Sequence, residues 1–378
     1  MERLFHTSRG WKIMEPVEAG QKPLVLEESA DHDVRMDGIA TSIRPKRVGI
    51  KEVASLAGVS WKTVSNVVND RPHVRPAMRE KVLAAIAELG YRPNLAGRQL
   101  RQGSSMTIVL AIPEITSPYF GKLAEHVITS AESRGYTVLI EAYGEDPTRE
   151  GRVLEGYQNR LIDGIIYSAQ NVSPEAVKAR QDPTPMVLLG ERILDSGLPH
   201  VAINNNRSAR ELVSHLASRG RTRLAFLGDR PDVGESVAGL RLEGFQEGLL
   251  ENELTFDQHL VMGVQRYSRD EGEMAALRLL NSGVPFDSVV CASDILSVGV
   301  LRAFRRRGIR VPQDVSIVGW DDIPEAEFGA PSLTSISPDI AALAEASLEQ
   351  LLTVMDGRKL ENVEMEIGYT LKVRESSF

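Results

Sequence analysis

Residues 49–60 run Gly49-Ile50-Lys51-Glu52-Val53-Ala54-Ser55-Leu56-Ala57-Gly58-Val59-Ser60 and lead into Trp61-Lys62-Thr63-Val64-Ser65-Asn66-Val67-Val68. Ile50, Val53, Ala54 and Ala57 recur at helical spacing, which predicts one short amphipathic helix ended by Gly58. Ser60 is placed to cap a second helix, Trp61 to Val68. Its Val64, Val67 and Val68 turn inward, while Trp61, Lys62, Thr63, Ser65 and Asn66 lie towards its start or outer faces. Two such helices make a helix-turn-helix, the second ready for a major groove. A third helix, about Pro76 to Leu89, would bury Val82, Ala85, Ile86 and Leu89 and complete a three-helix core too small to do much else.

Charge divides the chain at the same place. Residues 47–103 hold ten Lys/Arg against four acids, a local +6, whereas the whole chain is −8. The first 46 residues carry seven basic and eight acidic groups, so residues 104–378 are left at −13. A basic head on an acidic body concentrates attraction to a polyanion in one module. Residues 1–46 have mixed charge and no compact apolar stretch of the kind a secretory signal needs, and are expected to be a disordered leader, with Met36 as an alternative start.

From Met106 the pattern changes to short apolar runs alternating with helices. Strands are expected at Thr107–Ile112, Tyr136–Glu141, Gly164–Ser168, Met186–Leu189, Val201–Asn204 and Leu224–Gly228, then at Leu260–Gly263, Val289–Ala292 and Ser316–Gly319. Helices are expected after Pro118, around Val153 and over Pro338–Met355, and a last strand over Glu364–Val373. Strand-length runs alternating with helices argue for a parallel doubly wound sheet, and so many of them for two. Ligands of such sheets collect beyond the carboxyl ends of the strands. Those ends offer Tyr119 and Phe120, Glu191 and Arg192, Arg241, Tyr267, Ser293 and Asp294, and Trp320 and Asp321. Carboxylates and guanidinium groups suit vicinal hydroxyls and aromatic rings cover an apolar sugar face, so a carbohydrate is the expected ligand. Each position has a plainer use as well: Asp294 and Asp321 as helix caps, Tyr267 and Phe120 as core, Trp61 as core of the head.

The run from Ile50 through Gly58-Val59-Ser60-Trp61-Lys62-Thr63-Val64-Ser65 to Val74, Arg79, Val82, Leu89, Gly90-Tyr91-Arg92-Pro93-Asn94 and Leu100 resembles the lactose/galactose-repressor (LacI/GalR) family, and the likeness continues through the body. The resemblance implies an all-α helix-turn-helix head (47–92), a hinge helix and linker (93–105) and a two-lobed α/β periplasmic-binding-protein-like body (106–378) with parallel doubly wound sheets. It also implies that Trp61, Lys62 and Asn66 read base edges: Lys62 donating to guanine, Asn66 offering donor and acceptor, the Trp61 ring touching a thymine methyl. Ser60, Thr63 and Ser65 would hold phosphates, which set register without reading sequence. Asn94 would open the hinge helix, Arg98 and Arg101 would grip phosphates, and Leu100 would wedge between base pairs in the minor groove. Gly97, where several relatives carry alanine, should leave that helix slightly less stable, and Gln102-Gly103-Ser104-Ser105 is expected to be flexible.

In the body the resemblance places Arg241, Asp294 and Asp321 at effector positions. Gly190 stands where some relatives carry aspartate, with the charge next door in Glu191-Arg192, and Glu235 where a purine-sensing relative has arginine, which disfavours a purine. No leucine-heptad tail follows the final strand, so the expected assembly is a two-fold homodimer on a pseudo-palindromic double-stranded operator.

Composition narrows the alternatives. No apolar run approaches the roughly 18 residues of a bilayer span, which argues against a membrane role. The single cysteine, Cys291, excludes an intrachain disulfide and a cysteine-only metal site, suits a reducing cytoplasm, and lies in an apolar run that suggests core. A transport-associated solute-binding protein would need a signal peptide and no helix-turn-helix. An enzyme on the same scaffold would need chemistry that is not apparent: there is no Gly-x-Ser-x-Gly elbow, no Walker loop and no metal spacing among the seven histidines. The chain therefore presents itself as a cytoplasmic, nucleoid-associated regulator without a cofactor, a repressor by expectation, with activation as the alternative.

Overall fold

The computed structural model describes residues 48–68, 71–91, 104–144, 146–157, 162–190, 196–230 and 237–378, with the backbone of 4–7 and 10–13. They separate into two compact units, residues 1–93 and 94–378. Within the expected leader, β1 (Leu4–Thr7) pairs antiparallel with β2 (Gly10–Ile13). Residues 14–46 lie outside the described residues.

In the head, α1 (Ile50–Ala57) starts at Gly49, whose N–H donates to Glu52 Oε2 at 3.1 Å, and stops at Gly58, which adopts φ +63°. That left-handed conformation is cheap only without a Cβ. Ser60 Oγ accepts from Thr63 N at 3.1 Å and caps α2 (Trp61–Val68). With α3 (Pro76–Leu89), these helices bury Val53, Ala54, Val64, Val67, Val82 and Ala85, and Ile86 and Leu89 pack beside them half-buried. Arg79 of α3 donates to the carbonyl of Arg71 at 2.9 Å and ties down the turn after α2.

The body is two six-stranded sheets. The first has the order β13-β7-β6-β5-β3-β4, all parallel, from β3 (Thr107–Ile112), β4 (Thr137–Ala142), β5 (Gly164–Tyr167), β6 (Met186–Leu189), β7 (His200–Ile203) and β13 (Glu364–Ile367). It is packed with α4 (Pro118–Ser133), α5 (Pro147–Glu155), α6 (Pro174–Lys178) and α12 (Ile340–Met355). The second has the order β14-β12-β11-β10-β8-β9, from β8 (Leu224–Asp229), β9 (Val261–Gly263), β10 (Ser288–Cys291), β11 (Ser316–Trp320), β12 (Thr334–Pro338) and β14 (Tyr369–Lys372); only β14 is antiparallel. Its helices are α7 (Asn205–Ser218), α8 (Val237–Glu251), α9 (Arg269–Asn281), α10 (Asp294–Arg306) and α11 (Pro324–Phe328). The inner strands are apolar on both faces because helices cover both, as a parallel sheet requires. Among the described residues no helix is long and apolar enough to cross a membrane.

Three differences from the sequence reading matter. The single final strand is two: Glu364–Ile367 joins β7 in the first sheet and Tyr369–Lys372 joins β12 in the second, with Gly368 between. β12 itself, Thr334-Ser-Ile-Ser-Pro, lacked an apolar run and was not expected. Ser104 and Ser105, expected to be flexible, are held by one carboxylate: Asp163 accepts from Ser104 Oγ at 2.5 Å, Ser105 N at 2.7 Å and Met106 N at 2.7 Å. Burial alone would raise the Asp163 pKa; these donors outweigh it and hold it below the usual range.

The chain therefore crosses between lobes three times, at Asn204, Asp339 and Gly368. The crossings are bonded to one another: Asp339 N donates to Gly368 O at 3.0 Å, while Glu366 accepts from Asn204 Nδ2 at 3.0 Å and from Arg207 at 2.6 Å. Arg207 also lies over the Tyr369 ring, 5.6 Å from its centroid.

Helices α9 and α10 approach closely through Gly272 and Gly299, where a Cβ at Gly299 would overlap the carbonyl oxygen of Arg269. Gly299→Ala should therefore destabilise the body by about 1–3 kcal/mol through overpacking, despite alanine's better helix propensity. Gly151→Ala in α5, with nothing within 4 Å of the added methyl, should be neutral or stabilising by up to about 1 kcal/mol. Urea denaturation midpoints of the two variants would check this, and equal shifts would contradict the close approach.

Candidate functional site

On the head, α2 separates its chemistry by face. Val64 and Val67 are buried, while Trp61 (49% exposed), Lys62 and Asn66 stand open to solvent. Trp61 is thus a surface residue and not core. Lys62 Nζ lies 5.9 Å from the Trp61 ring centroid, so the two side chains at the start of the helix lean together. Ser60 and Thr63 share a hydrogen bond between their hydroxyls at 2.9 Å, and Ser65 is half-buried. Asn94, Arg98, Leu100 and Arg101 lie outside the described residues.

In the body, the carboxyl ends of both sheets open onto one cavity of about 730 Å³. The first lobe supplies Glu114, Thr116, Ser117, Tyr119 and Phe120 after β3, Ser168, Gln170 and Asn171 after β5, and Gly190 after β6. The second supplies Asn205, Arg230, Arg241, Arg266, Tyr267, Arg269, Ser293 and Asp321. The Tyr119 and Phe120 rings meet edge to face, 5.1 Å between centroids.

Arg241 organises the floor. Its side chain is buried, its Nε donates to Asn205 Oδ1 at 2.9 Å, Nη1 donates to the carbonyl of Ala292, and Nη2 lies 4.0 Å from Asp321 Oδ1. The guanidinium carbon sits 4.8 Å from the centroid of the Trp320 ring. Asp321 adopts φ +102° and accepts from Ser293 Oγ at 2.6 Å. Burial pushes its pKa up, and Arg241 and Ser293 pull it part of the way back. Tyr267 donates its hydroxyl to Gly228 O at 3.0 Å, fixing its ring at the wall.

Two expected effector residues are not on the cavity. Asp294 is wholly buried at the start of α10: Oδ2 accepts from Ile323 N at 3.2 Å and Ser335 Oγ at 2.8 Å, while Oδ1 has no hydrogen-bond partner. Burial, reinforced by nearby Asp321, raises its pKa well above the ordinary range. Its neighbour Ser293 faces the cavity instead. Trp320 is likewise buried, its Nε1 donating to Ser208 Oγ at 2.9 Å, and it supports Arg241 from below. Phe120, Tyr267, Arg241 and Asp321 do line the cavity. Glu191, Arg192 and Glu235 lie outside the described residues. Cys291 is buried in a β-strand with its thiol pushed up to about 12 by burial, which suits core and not a nucleophile.

Sequence reasoning missed Glu114, Gln170, Asn171, Asn205 and Arg230. All five follow strands directly, so the strand-end rule reaches them; the neutral amides Gln170, Asn171 and Asn205 were passed over in favour of aromatic and charged residues, and the charged Glu114 and Arg230 were not singled out. Glu150 carried no sequence signal. From α5 this buried carboxylate accepts from Tyr167 Oη at 2.9 Å, Gln170 N at 2.6 Å, and Asn171 N and Nδ2, each at 3.0 Å. It thereby sets the Gln170-Asn171 turn at the cavity's edge.

Residues 49–94 match the model of bacterial regulatory proteins of the lacI family, and residues 213–377 match a periplasmic binding protein-like domain. Catabolite control protein A of Streptococcus mutans is 32% identical over 329 residues, 86% of this chain and 97% of that protein. The ribose operon repressor of Halalkalibacterium halodurans is 32% identical over 328 residues, 87% of this chain and 96% of that one. Among solved structures, the lac repressor dimer bound to operator and an anti-inducer superposes with a TM-score of 0.79 at 26% identity, covering 88% of this chain and 99% of that one. The transcriptional regulator CelR in complex with cellobiose gives 0.66 at 29% identity, covering 87% of this chain and 100% of that one.

Two outcomes follow from the floor of the cavity. Arg241→Met leaves Asp321 buried without its counter-charge and should cost about 3 kcal/mol, part of which Asp321→Asn in the same chain restores. Asp294 keeps its proton to higher pH in the folded state than in the unfolded chain, whose ordinary value is 3.8, so its contribution to stability declines as pH rises from there. Asp294→Asn, which keeps the acceptor for Ile323 and Ser335, should thus gain on the parent as pH rises from about 4 in urea titrations; a gap that closes with rising pH would contradict the raised pKa.

Proposed function

The chain belongs to the lacI family of bacterial regulatory proteins, and from that premise we propose that it is a sequence-specific DNA-binding transcription repressor whose operator affinity is set by a carbohydrate held between the two lobes of its body. It is a regulator and not an enzyme. The observation that carries the reading is the presence in one chain of a helix-turn-helix with its polar face open and a cavity of about 730 Å³ at the strand ends of two parallel sheets. Trp61, Lys62 and Asn66 read base edges, Ser60, Thr63 and Ser65 hold phosphates, and Asn94, Arg98, Leu100 and Arg101 form the hinge contact, with Leu100 as the minor-groove wedge.

A homodimer would set two α2 helices on the half-sites of a pseudo-palindrome, and the related lac repressor was solved as a dimer bound to operator. Leu139 and Ile140, exposed on the edge strand β4, offer apolar surface for such pairing. The site of action is the cytoplasm, at the nucleoid. A carbohydrate accords with the cellobiose held by the related CelR and with the chemistry of the cavity: Arg241, Asp321, Asn205 and Ser293 for hydroxyls, Phe120 and Tyr267 for an apolar ring face. The three crossings form the hinge about which the lobes close. Closure changes DNA affinity only as far as the ligand binds the open and closed forms unequally.

Selection from random palindromic duplexes, repeated with Lys62→Ala and Leu100→Ala, tests the reading. Lys62→Ala should relax one base position per half-site by about 1–3 kcal/mol, and Leu100→Ala should weaken every selected site alike. Sequence-blind, salt-sensitive binding by the parent chain, with and without a sugar mixture, would refute it.

A further inference from the structure

The body as a whole is strongly acidic, at −13 over residues 104–378. Among the described residues, however, the charged side chains on the cavity wall are four arginines (230, 241, 266 and 269) against two carboxylates, Glu114 and Asp321. The arginines are not equivalent. Arg241 faces Asp321 at 4.0 Å, and Arg269 is paired with Glu325. The guanidinium of Arg230, half-buried just after β8, pairs with no carboxylate among the described residues: Nη1 donates to Gln170 Oε1 at 3.2 Å and Nη2 to Asn171 Oδ1 at 3.0 Å. These neutral amides belong to the opposite lobe, and Glu150 holds their turn in place.

Amide oxygens orient a guanidinium without cancelling its charge, and its remaining N–H donors stay available to a ligand. A neutral sugar needs only hydroxyl-binding groups, which Arg241, Asp321 and Asn205 already supply. A prepositioned arginine whose partners are neutral amides suits an anionic oxygen group, to which charge-assisted bidentate hydrogen bonds are about twice as strong as neutral ones. We infer that the effector of this cavity is a carbohydrate bearing an anionic group, a carboxylate or a phosphate, and that Arg230 binds that group. Because Arg230 also bridges the lobes, the anion joins the same contact that Gln170 and Asn171 make, and its charge favours the closed form.

The inference rests on the carbohydrate-sensing reading above and deepens it. Calorimetry on the full chain with matched probes tests it: glucose against glucuronate, gluconate and glucose 6-phosphate, galactose against galacturonate, and cellobiose against cellobionate. At least one anionic member should bind 10-fold or more tightly than its neutral parent, and the preferred anion tells carboxylate from phosphate. Arg230→Gln should abolish that preference, shrinking the ratio of anion to neutral affinity by about 10- to 100-fold whatever it does to both, while Arg230→Lys retains part of it. Neutral sugars binding as tightly as their acids, or a preference that survives Arg230→Gln, would overturn the inference and leave the carbohydrate reading standing. Binding of no sugar by a chain that still selects an operator would overturn both.

Discussion

Burying the Arg241 guanidinium in the floor of the cleft creates a demand that the second lobe is arranged to meet. A cation out of water needs acceptors on every side it presents and an opposite charge within reach. The acceptors come from three places far apart in sequence: Asn205 at the start of α7, the Ala292 carbonyl after β10, and Asp321 after β11. The Trp320 ring closes the remaining face. The strand ends that line the cleft are thus tied to one point, and the positive φ of Asp321 is part of that arrangement. Strain at such a position persists only where the surroundings over-determine it.

The first lobe solves the matching problem with the opposite charge. Glu150 is buried and satisfied by Tyr167 and the Gln170-Asn171 turn, so a carboxylate orders its cleft edge as a guanidinium orders the other floor. The two halves meet through Arg230. At the three crossings the Asp339–Gly368 and Glu366–Asn204–Arg207 hydrogen bonds keep the crossing segments together. The proposed closure would change a few polar contacts at the mouth while both packed cores stay intact, so that small ligand energies could bias it.

The head obeys a simpler economy. Its core is a handful of small aliphatic residues, so nearly all polar side chains of α2 face outward, and local caps at Gly49, Gly58 and Ser60 set where the helices begin and end. The exposed Trp61 is costly for a small domain and informative for that reason: an aromatic ring with Lys62 resting against it is a surface made to meet something else.

Helix boundaries in the head, the alternation of strands and helices in the body, the separation of a basic head from an acidic body, and the family itself were legible in the sequence, because each rests on local periodicity, capping or net composition. Arg241, Asp321, Phe120 and Tyr267 were legible as cavity residues by their position after strands. Asp294 and Trp320 obeyed the same rule and were misplaced, because successive residues at a strand end point in different directions and only packing decides which one faces the ligand. The split of the last strand at Gly368, the role of Glu150 and the bridge from Arg230 to Gln170 and Asn171 depended on which distant segments come together. Contacts between residues some 60 positions apart leave no periodic trace in the chain, so tertiary structure alone decided them.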